Sequence, residues 1–431
     1  MNTVVTEIAT LRELTTGPVS FPGDEHYDTA RRAWNLAVDQ RPAAVVLAQH
    51  VDDVVATVRF ARENGFRVAP QATGHGACTI GDLGDTILLR TADLRGVIIH
   101  PRQAIARAEA GAQWQDVVGA AAVHGLAAMH GSAPDIGVVG YSLGGGLGWY
   151  GRKHGLAANH VTAIELVLAD GELRRVDACN DPELFWGLRG GGSFGIVTAI
   201  EMELLPIEEA YAGWLIFPWE RSREVLGAWA AWTRETPETV TSVGRILQIP
   251  PIPEIPEPLR GRQLVVIEAT FLESEKEASR LLEPLRALGP ELDTFATVPQ
   301  TALMELHQDP PSPVPGIGHH AIVETLPETA LDAFVGAAGP GSGSAMVSVE
   351  LRQLGGALAR RPVAVAPARC WPASTRCSRS ACRWARRRAS CSRPRPRVSS
   401  TRSRPGRRRS ATRTSPSGTA TSCTTPGPRI A

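Results

Sequence analysis

Between residues 131 and 148 glycine recurs at Gly131, Gly137, Gly140, Gly144, Gly145, Gly146 and Gly148. Each glycine inside a helix or strand costs about 0.5–1 kcal/mol relative to alanine. A run this dense is therefore read as backbone held close against something, either its own domain or a bound group. Two further glycine-relieved clusters flank it. Upstream, Gln71-Ala72-Thr73-Gly74-His75-Gly76-Ala77 follows a short apolar strand. Downstream, the segment from Asp181 to Thr198 passes from a helix through Gly190, Gly191, Gly192 and Gly195 into an apolar strand. In the first cluster, glycine would free the backbone amides to close on an anionic group such as a pyrophosphate, beside the His75 imidazole.

With 431 residues the chain has room for two or three domains. Its near-neutral total charge conceals two different polymers. Of the 45 basic side chains, 17 arginines fall after Pro362, where there is no Lys, Asp or Glu; the rest of the chain keeps 28 basic against 44 acidic residues. Five of the seven cysteines (Cys370, Cys377, Cys382, Cys391 and Cys423) also lie there, which argues against a disulfide framework. Glu7 and Glu13 interrupt the N-terminus, and no 18 apolar residues run together. The expectation is a cytoplasmic protein without signal peptide or membrane span.

Periodicity places a strand at Ala43–Leu47, an amphipathic helix at Asp52–Asn64 closed by Gly65, and a strand at Val68–Pro70. Short strands follow at Thr86–Leu89, Val97–Ile99 and Ala104–Ala110, then a helix from Trp114 to His124. Ile164–Leu168 and Glu172–Val176 flank Asp170-Gly171, a hairpin signal. Pro182–Arg189 reads as a helix whose Phe185 and Trp186 are core, and Ile196–Leu205 as a strand. Regular strand-helix alternation is missing, so the fold class is α+β in two small lobes rather than a doubly wound sheet. From Ile207 onward, helices at Arg221–Glu235, Glu273–Leu288 and Pro327–Ala337 separate strands at Gly213–Phe217, Gln263–Thr270 and Ala345–Leu351. This predicts a second α+β domain, one antiparallel sheet backed by helices, with Pro250, Pro251, Pro253, Pro256 and Pro258 on a stiff loop.

Two motifs match formally within the glycine run. Gly140-Tyr141-Ser142-Leu143-Gly144 fits the nucleophile elbow of serine hydrolases, with Ser142 as nucleophile, but three glycines make a poor first helical turn after it. Gly146-Leu147-Gly148-Trp149-Tyr150-Gly151 fits a dinucleotide fingerprint, but without a preceding buried strand. His307, His319 and His320 lack the spacing of a zinc site and are read as surface or substrate-domain residues, so no metal is expected.

With the three clusters in this order, the chain from about Pro42 to Ile207 resembles the FAD-binding domain of the berberine-bridge-enzyme-like oxidases, a PCMH-type domain within the vanillyl-alcohol-oxidase class of flavoproteins. The resemblance implies FAD as cofactor, bonded to His75 through its 8α-methyl group, with Gln71, Ala72, Thr73, Gly74, Gly76 and Ala77 around the pyrophosphate. It implies that Gly131, Ser132, Gly137, Val138, Gly140, Tyr141, Gly144, Gly145 and Gly148 line the isoalloxazine and ribityl chain. Gly195, Ile196 and Val197 would supply further backbone contacts. Some members carry a second link through a cysteine where this chain has Ala133, so attachment is expected through His75 only; an unlinked loop histidine is the alternative. Tyr141 stands where some relatives have histidine, which makes its hydroxyl a candidate partner for flavin or substrate, against an ordinary buried tyrosine. The implied reaction passes hydride from a small organic alcohol or amine to flavin N5, with molecular oxygen as acceptor. No nucleic-acid or membrane partner is expected.

The resemblance stops short of the C-terminus, where the family closes with a Tyr-x-Asn motif and a helix returning to the flavin. One reading of the Arg-, Ser- and Pro-rich tail is a disordered basic segment that binds nucleic acid or acidic membrane, which would suit a non-catalytic flavin-binding protein. The other is a shifted reading frame. Synonymous codons for Thr412–Ala431 can be chosen so that the frame one base earlier reads YPNFAERHGDVVHDAWTADR, a Tyr-x-Asn followed by an amphipathic acidic helix. The frame is therefore expected to shift between about Leu354 and Cys370. The organisation read from sequence is an arm (1–38), an FAD-binding domain (39–207), an incomplete substrate domain (208–358) and a tail (359–431).

Overall fold

The computed structural model describes residues 8–360, apart from 192, 254 and 256. Pro256 of the proline loop and the expectations for the tail beyond residue 360 lie outside the described residues.

The first sheet contains β1 (Val19–Ser20), β2 (Ala44–Leu47), β3 (Arg67–Gln71) and β4 (Thr86–Arg90), in the order β1-β2-β4-β3. β2 and β3 both run parallel to β4. The parallel arrangement requires a crossover between β2 and β3, supplied by α1 (Val51–Asn64). Val54, Val58 and Ala61 recur at helical spacing and are buried. Asp53 anchors the first turn by accepting from the backbone amides of Thr16 (2.7 Å) and Gln49 (2.9 Å), and Gly65 ends the helix at φ 73°. The N-terminal arm joins this lobe, since Val19 and Ser20 pair with Val46 and Val45.

The second sheet is antiparallel: β5 (Val97–His100), β6 (Ile105–Glu109), β7 (Val161–Val167), β8 (Leu173–Asp177) and β9 (Ile196–Glu203), in the order β5-β6-β9-β7-β8. α2 (Trp114–Ala122) buries Trp114, Val117, Val118 and Ala121 in the core of this lobe. The glycine run departs from expectation by containing a six-residue helix, α3 (Val138–Leu143). In α4 (Pro182–Leu188) Phe185 is core, but Trp186 is 74% exposed. Adjacent helical residues point about 100° apart, and only Phe185 faces inward.

The third sheet comprises β10 (Glu209–Pro218), β11 (Val240–Gln248), β12 (Gln263–Phe271), β13 (Leu292–Asp293), β14 (Ala296–Pro299) and β15 (Ser348–Arg352). All its pairings are antiparallel. α5 (Ser222–Trp232), α6 (Glu275–Arg286) and α7 (Glu328–Ala338) cover one face, burying Leu226, Trp229, Leu282 and Leu331 against Leu215, Ile246, Ile267 and Phe271. β11 was not expected from the sequence, because Thr241, Ser242, Gly244 and Arg245 obscure its alternation. Gly244 lets the strand approach α5, since a Cβ there would lie 2.9 Å from Leu226 and 3.1 Å from Trp229. Among the described residues, no helix is long and apolar enough to cross a membrane.

Candidate functional site

The loop after β3 is fixed from two sides. Arg90 donates to Ala72 O (3.1 Å) and the Trp34 amide donates to Thr73 O (3.0 Å). Gly74 adopts φ 91°, and a Cβ there would come within 2.9 Å of Ala33, so both conformation and space demand glycine. The loop presents His75 with its ring stacked on Trp34, centroids 4.1 Å apart and planes 19° apart. Thr73 Oγ1 lies 2.8 Å from His75 Nδ1. His75 Nε2 faces Asp135 Oδ1 at 3.6 Å, while the other carboxylate oxygen, Oδ2, accepts from Trp34 Nε1 at 2.6 Å. Burial lowers the His75 pKa and outweighs the opposing pull of the Asp135 and Asp309 charges, so the imidazole is neutral near pH 7.

Two sequence clusters thereby meet. Asp135 belongs to the glycine run, and Gly137 of the same run brings its backbone against the Ala72 side chain, 3.3 Å from where a Gly137 Cβ would lie. Gly137 caps α3, Val138 is buried in it, Gly140 and Tyr141 lie within it, and Gly144 ends it. Tyr141 explains part of the glycine density. A Cβ on Gly131 would lie 3.0 Å from its ring, one on Gly146 2.7 Å from it, and one on Gly148 only 2.1 Å from the carbonyl oxygen of His130. The Tyr141 hydroxyl donates to that carbonyl (3.1 Å), and burial raises its pKa. Gly140 and Gly76 differ, with nothing among the described residues within 4 Å of an added Cβ. Ser132 donates to Asp309 (2.7 Å), Gly145 holds φ 113°, and Ala77 begins a short 3-10 turn, Ala77–Thr79. Gln71 closes β3 with its side-chain amide buried.

Gly195, Ile196 and Val197 pack against β7: a Cβ on Gly195 would sit 2.7 Å from Val167 O, and Ile196 pairs with Val167. Ser142 is 1% exposed inside α3. A nucleophile elbow needs its serine on a sharp strand-to-helix turn, open to substrate, so the hydrolase arrangement is absent. The Gly146–Gly151 match follows a helix instead of a strand and likewise lacks its required context.

The third sheet turns its uncovered face toward the glycine run. Trp149 and Tyr150, which follow the run, share a cluster with Ala210, Ala212 and Val243, and the Trp149 ring lies 6.2 Å from that of His307. His307 is buried there rather than at the surface, whereas His319 and His320 are exposed. Arg245 on β11 pairs with Glu268 on β12 and donates to His307 O at 2.9 Å. Arg352 on β15 lies 2.7 Å from Glu350. Glu268 is a carboxylate that directly follows Leu264-Val265-Val266-Ile267 and precedes Ala269. That interruption of an apolar strand is the sequence signal from which Glu268 could have been found. Asp135 and Trp34 carried no comparable signal, because their contact spans 101 positions.

Residues 42–177 match the family described as "FAD binding domain". This part of the chain is an FAD-binding domain. The His75 loop, the glycine run and Asp135 all fall inside it. The chain is 33% identical over 189 residues to (R)-6-hydroxynicotine oxidase of Paenarthrobacter nicotinovorans, covering 44% of this chain and 41% of the relative. It is 31% identical over 219 residues to a xylooligosaccharide oxidase of Thermothelomyces thermophilus, covering 50% and 44%. The matched stretch thus spans less than half of either relative. The solved structure of a Physcomitrella patens protein titled BBE-like 1 superposes with a TM-score of 0.67 at 20% identity, covering 82% of this chain and 78% of the other. That likeness speaks for the fold alone, including its third sheet. The geometry of the FAD-binding domain suits its cofactor: among the described residues, His75 Nε2 and Asp135 Oδ1 are buried without a hydrogen-bond partner, and the Gly76 and Gly140 backbones border open space.

Proposed function

We propose that the chain is an FAD-dependent oxidase of a small organic alcohol or amine, with its flavin bonded covalently through His75 and molecular oxygen as acceptor. The observation that carries this reading is the partly buried His75, held by Trp34 stacking and the Thr73 hydroxyl and facing Asp135, inside the FAD-binding domain. Two relatives named as oxidases, one of a hydroxynicotine and one of a xylooligosaccharide, support the reaction class. FAD bound in this domain supplies the hydride acceptor. The chain's own part is to hold and orient. The backbone of Gln71 to Ala77 and of the glycine run would border the cofactor. The third-sheet face that carries His307, Glu268 and Glu350 would face the substrate. Its charges are already paired, so they need not reorganise when charge develops in the reaction.

The reading includes a damaged C-terminus. We infer that the frame shifts between about Leu354 and Cys370, so the residues that would finish the substrate domain are replaced by the basic tail. Turnover should be poor even where flavin is bound.

Acid denaturation of the purified protein tests the cofactor. Flavin fluorescence should stay in the pellet and be lost from it in His75→Ala. Flavin that washes out of the native protein's pellet would overturn the covalent link, and a colourless native protein would overturn the FAD reading.

A further inference from the structure

Asp135 reaches His75 from a different part of the chain, and its two oxygens have separate roles. Oδ2 is occupied by Trp34 Nε1 at 2.6 Å, which leaves Oδ1 pointing at His75 Nε2. Both Oδ1 and Nε2 are buried and, among the described residues, have no hydrogen-bond partner. Such atoms cost free energy unless a function or a ligand compensates. The Trp34 ring fixes the imidazole plane by stacking, and the Thr73 hydroxyl meets Nδ1 at 2.8 Å. A hydroxyl donating to Nδ1 keeps that nitrogen's lone pair in the ring plane and the ring proton on Nε2, where the carboxylate faces it. The pattern is nucleophile, proton acceptor and orienting group, assembled on one imidazole.

We propose that Asp135 is the positioning residue that readies His75 for attachment to the flavin, accepting the Nε2 proton so that Nδ1 forms the bond. This rests on the reading of His75 as the attachment point. The bond forms between Nδ1 and the methyl carbon at flavin position 8. One proton leaves that methyl group to solvent and one leaves Nε2 to Asp135. The two electrons released enter the flavin ring, and dissolved oxygen removes them, with two protons, as hydrogen peroxide. Thr73 rotates its hydroxyl away from Nδ1 as the bond forms. The 3.6 Å separation between Nε2 and Oδ1 is longer than a hydrogen bond and closes by a small rotation of the ring. Among the described residues, the other charge that acts on His75, Asp309, is bonded to Ser132 and carries the same sign as Asp135.

The test uses the full chain produced in riboflavin-starved cells, to which FAD is added across pH 6 to 9. Acid-stable flavin is read by fluorescence, and reversible FAD binding by quenching. Asp135→Asn keeps the acceptor for Trp34 and removes the proton acceptor. It should slow covalent incorporation about 10²-fold, change reversible FAD affinity less than threefold, and make incorporation rise with pH where the native protein is flat. Asp135→Glu should recover part of the rate. Peptide analysis of the native protein should find flavin on Nδ1. Native-like incorporation in Asp135→Asn, or flavin on Nε2, would overturn the proposal. If Asp135→Asn fails to bind FAD, the linkage atom and the Asp135→Glu rate still decide it. Acid-stable flavin in His75→Ala would overturn this proposal together with the His75 reading, while a slow Asp135→Asn beside an unlinked His75→Ala supports both.

Discussion

His307 Nδ1 donates to Glu268 Oε2 across 2.6 Å in the interior of the third sheet, and its other nitrogen lies 3.1 Å from Glu350. Burial alone would push the imidazole toward its neutral form. The two carboxylates outweigh burial and raise its pKa to about 9. His307 is thus a resident cation. Arg245 approaches the same imidazole at 3.4 Å, and Arg352 closes the network through Glu350.

The sign of the pH dependence follows. A histidine whose folded pKa is raised contributes stability that is complete below the unfolded value near 6.5 and is lost as pH rises through about 9. The span corresponds to about 3 kcal/mol, an order-of-magnitude figure. The melting temperature should therefore fall between pH 6.5 and 9.5 in the native protein, and much less in His307→Gln. At pH 7 that variant leaves Glu268 with one partner fewer and should be destabilised by about 3–5 kcal/mol. Parallel pH-melting curves for the two proteins would remove the role if they emerged.

Gly148 and Gly140 separate packing from cofactor space. Gly148→Ala would drive a methyl group to 2.1 Å from a backbone oxygen. Backbone cannot yield as a flexible side chain does, so a loss of at least about 1–3 kcal/mol is expected. Gly140→Ala meets nothing and lies inside α3, where alanine favours the helix by about 1 kcal/mol. It should melt higher without flavin, yet bind FAD less tightly if the cofactor fills that space. Thermal melts paired with FAD titration check both, and undiminished affinity in Gly140→Ala would remove Gly140 from the site.

Tyr141→Phe removes one hydrogen bond, to His130 O, and should cost about 1 kcal/mol. Because burial raises the phenol's pKa, Tyr141 stays protonated through neutral and mildly alkaline pH. It should contribute no ionisation to a rate profile between pH 6 and 9. A limb in that range that disappears in Tyr141→Phe would contradict this.

What the sequence disclosed depended on how local each signal was. α1 was legible because its apolar spacing and Gly65 lie within fifteen residues. The His75 loop and the glycine run were legible because glycine marks backbone constraint directly. The pairing of β2 and β3 with β4 was not, since parallel register depends on strands distant in sequence. The His75–Asp135 contact and the His307 network were invisible for the same reason: residues 75 and 135, or 268, 307 and 350, are brought together only by the folded sheets. Trp186 was misjudged because hydrophobic character alone does not say which way a helical side chain points.

The reading frame carries the last prediction. β15 pairs with β11 on one side only among the described residues, and Met346 and Val347 just before it are about half exposed. An unpaired strand edge beside apolar side chains invites association with other chains. If the residues encoded in the shifted frame belong to this sheet, restoring one base between codons 354 and 370 should cover that edge. The restored chain should stay monodisperse at concentrations where the present one associates, retain flavin equally well, and turn over a primary alcohol or amine panel at least tenfold faster. Size-exclusion chromatography and peroxide release, measured on the two chains side by side, distinguish the outcomes. Equal turnover would mean that the third sheet is already complete without those residues, and sequencing of the gene across this interval would show whether the base is missing.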